Sequence, residues 1–101
     1  MNSEQHGMRE PRVAILYCTQ CRWLLRAAWL SQEFLSTFTA ELGEVALIPS
    51  TGGTFEIWIN AELIWSRREQ GRFPEAKEIK QLVRDRIAPD KSLGHSDRSS
   101  N

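Results

Sequence analysis

The chain has 101 residues, 13 Lys and Arg against 13 Asp and Glu, and 41% apolar residues, among them four Trp. That length suits one small domain and excludes a multi-domain enzyme, and a net charge of zero lacks the basic excess of a nucleic-acid binder. No apolar run approaches the roughly 18–20 residues that cross a bilayer, and the first residues, MNSEQHGMREP, lack the apolar centre of a secretion signal, so the expectation is a cytoplasmic protein without membrane or nucleic-acid partners.

Residues 1–11 are polar and unpatterned, and residues 89–101, PDKSLGHSDRSSN, are rich in Ser, Asp and Gly. Both are expected to be disordered tails, because neither buries enough apolar surface to offset ordering. The working domain is then 12–88. Arg12–Tyr17 is a continuous apolar run with β-branched and aromatic members, which predicts a strand buried on both faces. After Cys18-Thr19-Gln20-Cys21 a helical pattern runs to about Leu42, with Leu24, Ala27, Ala28, Leu35, Phe38 and Leu42 at helical spacing and Gly43 placed as the C-cap.

Glu44–Pro49 predicts a second strand, and Ser50-Thr51-Gly52-Gly53 a loop. Thr54–Asn60 alternates, with Phe55, Ile57 and Ile59 on one side and Trp58 among the polar set. Glu62–Ser66 is its hairpin partner across Asn60-Ala61. Arg67–Phe73 reads as a charged loop. Pro74 fits the first position of a last helix, with Glu75 supporting its N-terminal end and Ala76, Ile79, Leu82, Val83 and Ile87 on its apolar face. The order β-α-β-β-β-α, opening on a right-handed parallel unit, predicts an α/β sandwich with a four-stranded mixed sheet.

Cys18-x-x-Cys21 is the constellation with chemical meaning. Its placement between a buried strand and a helix raises it above a lone C-x-x-C. The first turn of a helix exposes unpaired N–H groups and the positive end of the dipole, which stabilise a thiolate. The two-residue gap, Thr19 and Gln20, lets the second sulfur close a disulfide or resolve a mixed one. From Pro11 to Gln32 there is no Asp or Glu, while Arg12, Arg22 and Arg26 are present. Arg22 and Arg26, four apart, would share a helix face and favour a thiolate or an anionic thiol such as glutathione; the alternative is that they are ordinary solvated residues. A purely structural disulfide would close too short a loop to add much stability in a reducing compartment. A zinc site needs four ligands, and the histidines, His6 and His95, lie in the tails. Redox use is the preferred reading, with no metal or organic cofactor.

If the second strand runs parallel to the first and the third pairs antiparallel on its other side, Pro49–Thr54 must cross the end of the first strand that carries the cysteines. Gly52 and Gly53 would then permit close backbone approach to a bound thiol or peptide, or simply make the turn. Among the tryptophans, Trp23 is placed to shield the site, and Trp58 would pack beneath a helix or mark a partner surface.

The strand-C-x-x-C-helix opening, Gly53-Thr54-Phe55-Glu56-Ile57, the LIWSRR hairpin end, the Gly-Arg-Phe-Pro segment and the terminal amphipathic helix together resemble the selenoprotein W/T/H, or Rdx, family over about 12–88. The resemblance implies a thioredoxin-like fold and a thiol–disulfide redox protein, with glutathione-linked antioxidant activity and thiol or disulfide protein substrates. Selenoprotein members carry selenocysteine at the position of Cys21. That pattern puts the more reactive atom at 21. Analogy with thioredoxins, and the usual accessibility of the first sulfur of the turn, puts the nucleophile at Cys18, the assignment preferred from sequence. The alternative function is a redox-sensing interaction module without turnover, docking through the hairpin and its tryptophans. An exposed hairpin edge leaves a homodimer open.

Overall fold

The computed structural model describes residues 7–94. The elements are β1 (Arg12–Cys18), α1 (Leu24–Thr37), β2 (Glu44–Ser50), β3 (Phe55–Ile59), β4 (Glu62–Ser66), α2 (Arg67–Gln70) and α3 (Ala76–Ile87). Among the described residues one four-stranded sheet forms, in the order β2-β1-β3-β4. β1 is parallel to β2, with Cys18 beside Ser50, and antiparallel to β3, with Ile15 beside Ile57. β3 pairs antiparallel with β4 and the register shifts at Ile57/Trp58.

Period-two alternation decides which residues face the helices. Val13, Ile15, Tyr17, Phe55, Ile57 and Ile59 share one buried cluster with Ala27, Leu30 and Phe34 of α1 and Ile79 and Val83 of α3. Each fully buried Ile or Phe stabilises the fold by about 1.5–3 kcal/mol. Ala14, Leu16, Ala46, Ile48 and Trp58 alternate onto the opposite face and stand outside that cluster. The result is the two-layer α/β sandwich expected from the sequence. Trp58 therefore packs beneath no helix among the described residues; its indole N–H donates to Glu56 Oε1 at 3.0 Å.

Several boundaries differ from expectation, each for a local reason. α1 starts at Leu24, because Thr19–Trp23 are used in turns and Arg22 has φ 62°. It ends at Thr37, where the Thr39 hydroxyl donates to the Leu35 carbonyl at 2.9 Å and to that of Ser36 at 3.1 Å. Phe38 and Leu42 keep the helical spacing only because a tight turn still aims them at the core: the Leu42 N–H donates to Phe38 O at 2.9 Å.

Gly43 is accordingly not the cap. A Cβ there would lie 2.6 Å from the carbonyl oxygen of Arg9, so its role is close approach to the N-terminal segment. Within the expected Arg67–Phe73 loop, α2 forms, with Ser66 accepting the N–H of Glu69 at its start and Gly71 at φ 77° closing it. Pro74 precedes α3, whose N-cap is Glu75, in a capping box with Glu78. In the hairpin Asn60 takes φ 53° and its side chain accepts the N–H of Arg12 at 2.9 Å.

The packed chain reaches past the expected limits of 12 and 88. Residues 9–11 lie against Gly43, whose N–H donates to Pro11 O at 2.8 Å. Leu93 packs on the core, and Lys91 pairs with Glu41 at 3.3 Å. His6 and His95 lie outside the described residues. No described helix is long and apolar enough to cross a membrane.

Candidate active site

β1 is flanked by a strand on each side; its last residue, Cys18, one past the end of the β3 ladder, pairs with Ser50 of β2 and is only 1% exposed. The chain then turns sharply. The Thr19 N–H donates to Ser50 O at 3.0 Å, the Arg22 N–H to Thr19 O at 3.0 Å and the Trp23 N–H to Cys18 O at 3.3 Å. This turn brings Cys21 back over Cys18. Their Cα atoms are 5.3 Å apart and their sulfurs are bonded, within the Cα range that a disulfide requires. The Cys21 N–H points at Cys18 Sγ at 3.2 Å. Thr19 and Gln20 are exposed at the tip of the turn; Cys21 is half-buried.

Cys21 is therefore the more exposed residue of the pair, whereas the sequence preference was for an accessible Cys18. A motif that opened the helix would put its first residue facing out. Instead Cys18 still belongs to the strand, and the helix starts three residues after Cys21. Because the dipole acts mainly within the first turn, the nearer electrostatic aid to the buried sulfur is the Cys21 N–H.

Arg22 and Arg26 do not share a helix face as expected. Arg22 is exposed in the turn ahead of α1, and Arg26 is on α1 with its guanidinium 3.9 Å above the ring of Phe73. The Thr51–Thr54 loop leaves the sheet at Ser50, beside Cys18, as its predicted crossing requires. Gly52 and Gly53 have φ 68° and 73°, and a Cβ on either would meet no atom within 4 Å. Positive φ explains the glycines here, and the space beside them is open. The loop closes on itself through Thr54 Oγ1, which donates to Thr51 O at 2.7 Å, and the Arg68 guanidinium anchors it through Gly52 O at 3.2 Å.

An aromatic cluster next to the cysteines' turn carries no mark in the sequence, and it enters through Trp23, whose backbone N–H donates to Cys18 O. Trp23, Phe55 and Phe73 meet edge to face, with Trp23 and Phe73 centroids 4.9 Å apart. Arg67 lies 5.0 Å from the rings of both Trp23 and Phe73, and its buried Nε has no hydrogen-bond partner. Arg67 lies in the LIWSRR segment and Phe73 in the Gly-Arg-Phe-Pro segment, but only the fold brings them to Trp23, two residues after Cys21. In the hairpin Trp65 is buried, so it presents no docking surface; its indole N–H donates to Arg72 O at 3.3 Å.

The Rdx family profile matches residues 12–85. A selenoprotein W-related protein from Vibrio cholerae has 58% identity and a TM-score of 0.72, covering 73% of this chain and 92% of that one. A protein from Bordetella parapertussis has 63% identity and a TM-score of 0.74, covering 75% and 96% respectively. Migration and invasion enhancer 1 of Bos taurus is 32% identical over 81 residues, 78% of this chain but only 64% of that protein, so the chain spans less than two-thirds of its length. The architecture is the thioredoxin-like one that the resemblance implied. A profile match over most of the described chain, a range that includes Cys18-x-x-Cys21, shows that the chain belongs to the Rdx family, among proteins related to selenoprotein W.

Proposed function

We propose that the protein is a cytoplasmic thiol–disulfide oxidoreductase in which Cys21 attacks and Cys18 resolves. The observation that carries this reading is the unequal burial of two disulfide-bonded cysteines, one ending a central strand and one in the turn that follows it. The Cys21 thiolate attacks one sulfur of a substrate disulfide, forming a mixed disulfide and releasing the first substrate thiolate. The Cys18 thiol gives up its proton to solvent, and its thiolate attacks the Cys21 sulfur. The Cys18–Cys21 disulfide forms, the second substrate thiolate leaves, and both substrate thiolates take protons from water. Two electrons have passed to the substrate. Two equivalents of an external thiol such as glutathione restore the dithiol, being oxidised to their own disulfide.

Mass spectrometry on single-cysteine variants tests the assignment. Cys18→Ser should accumulate a mixed disulfide on Cys21 when treated with glutathione disulfide. Cys21→Ser should react far more slowly, because its remaining sulfur is buried. An adduct that forms readily on Cys18 and not on Cys21 reverses the roles; no adduct on either refutes the exchange mechanism.

A further inference from the structure

A surface helix is ordinarily apolar on the side facing the core and polar on the other. α1 departs from this. Ala27, Leu30 and Phe34 face the core, yet Leu25 is 81% exposed, Trp29 49%, Leu24 46% and Leu35 46%. Leu25 and Trp29, four apart, form one ridge pointing away from the core, and Leu24, Ala28 and Leu35 flank it along one side. Of the five large apolar residues exposed among the described residues, four belong to this helix. A single exposed Leu needs no explanation, whereas such a cluster marks a contact surface.

The ridge starts close to the dithiol along the chain. Leu25 follows Cys21 by four residues, so their Cα atoms are within about 14 Å. The border of the ridge is cationic. No Asp or Glu occurs from Pro11 to Gln32, while Arg22 and Arg26 are both exposed there. Arg68 adds another guanidinium, bonded to Gly52 in the loop beside Cys18. The first acid of α1, Glu33, is taken up by Lys80 at 2.6 Å.

This charge pattern selects the occupant. A second copy related by two-fold symmetry would present the same ridge and the same arginines, and the one carboxylate of α1, Glu33, is already paired with Lys80. A partner that supplies both apolar side chains and carboxylates complements the ridge and its border. We infer that the outer face of α1 is a docking surface for a polypeptide disulfide whose cysteine is flanked by apolar and acidic residues. This rests on the thiol-exchange reading and names its substrate class. The docked substrate presents its disulfide to Cys21 and leaves as two thiols while Cys18–Cys21 becomes oxidised, so two electrons and two protons leave the protein dithiol.

The test is single-turnover reduction, with reduced protein mixed with substrate, quenched in acid and read by mass spectrometry. The probes are two short synthetic peptides, each oxidised to its symmetric disulfide. One carries Leu and Glu around its cysteine; the other carries Ser and Lys there. Glutathione disulfide is the small reference. The wild type should reduce the Leu/Glu peptide faster than the Ser/Lys peptide. The double variant Leu25→Ser/Trp29→Ser, altered only at exposed positions, should lose about tenfold on the Leu/Glu peptide, the equivalent of one well-packed apolar contact. It should keep its rate on glutathione disulfide.

Equal rates on the two peptides, or an unchanged Leu/Glu rate in the double variant, overturn the inference and leave the exchange mechanism standing. So does binding of the wild type, lost in the double variant, to phosphatidylserine vesicles, or a wild-type dimer in light scattering that the double variant abolishes. A wild-type dithiol inert to all three disulfides refutes the exchange mechanism itself, and the docking inference with it.

Discussion

Replacing Phe73 by Leu should destabilise the fold more than the lost apolar area alone would. Phe73 meets Trp23 at 4.9 Å and Phe55 at 5.1 Å, both near perpendicular, and carries Arg26 at 3.9 Å and Arg67 at 5.0 Å over its ring. Leucine retains most of the buried area but has neither an aromatic edge nor a negative face. Edge-to-face pairs contribute roughly 0.5–1.5 kcal/mol each beyond burial, and exposed cation–π contacts roughly 0.5–1 kcal/mol. The contacts share one ring and are not additive, so the expected loss is about 2–3 kcal/mol.

For a domain of this size about 4–8 °C of Tm accompanies each kcal/mol, which places the drop at about 10–20 °C. Thermal melts followed by near-ultraviolet circular dichroism measure it. A double-mutant cycle with Arg26→Met isolates the cation's share, since Met keeps the stem of the side chain but not the charge. Trp23 stands two residues after Cys21, so releasing its ring should also raise the alkylation rate of reduced Cys21. A Phe73→Leu melt within about 3 °C of wild type would refute the energetic role given to this cluster.

Gly43→Ala should lower stability by about 1–3 kcal/mol in urea unfolding, because the new methyl meets the backbone of Arg9 at 2.6 Å and one segment must move; an unchanged midpoint would show that residues 9–10 are not held there. Arg72 donates two hydrogen bonds to Glu78, at 2.5 and 2.9 Å, and this bonding holds the Glu78 carboxyl below its ordinary range. A depressed folded-state value means stability that is present above the unfolded value and lost as pH falls through the folded one. Glu78→Gln should therefore cost under about 1 kcal/mol at neutral pH, given the pair's exposure, and flatten the fall in stability below about pH 4.3, a difference read from paired urea titrations. Arg22→Gly should leave stability equal or higher by about 1 kcal/mol, since φ 62° suits glycine, while lowering the rate on anionic disulfides relative to a neutral one at low salt; an unchanged ratio would remove Arg22 from substrate attraction.

The sheet was legible in the sequence because strand pattern and burial share the period of two, and Phe55, Ile57 and Ile59 alternate as the register demands. The cysteine pair was legible from its place after an apolar run. The helix limits were not. Arg22 in the left-handed region carries no sequence mark, as a glycine would, and it delays the helix past the motif. At the other end Phe38 remains wholly buried after the helix has stopped, so apolar spacing overstates its length. Contacts between distant segments were equally hidden: Arg67 and Phe73 lie more than forty residues from Trp23, and only the β3–β4 hairpin and α2 carry them back to it.

The two cysteines differ in what holds them, and that difference suits two-step exchange. Cys18 ends the central strand. Its neighbour Thr19 is tied to Ser50 by both N–H and hydroxyl, at 3.0 and 3.3 Å, so moving Cys18 would break the β1–β2 ladder at its end. Cys21 lies in a turn whose backbone bonds stay close to the motif, at Arg22 N–H to Thr19 O and Trp23 N–H to Cys18 O. Opening the disulfide therefore asks the turn to rearrange and leaves the sheet intact. A sulfur free to swing outward meets the substrate, and a sulfur fixed in place, with the Cys21 N–H aimed at it, waits to close the ring. Exchanging the roles would require the strand end to open for every attack, at the cost of ladder bonds that the observed geometry keeps.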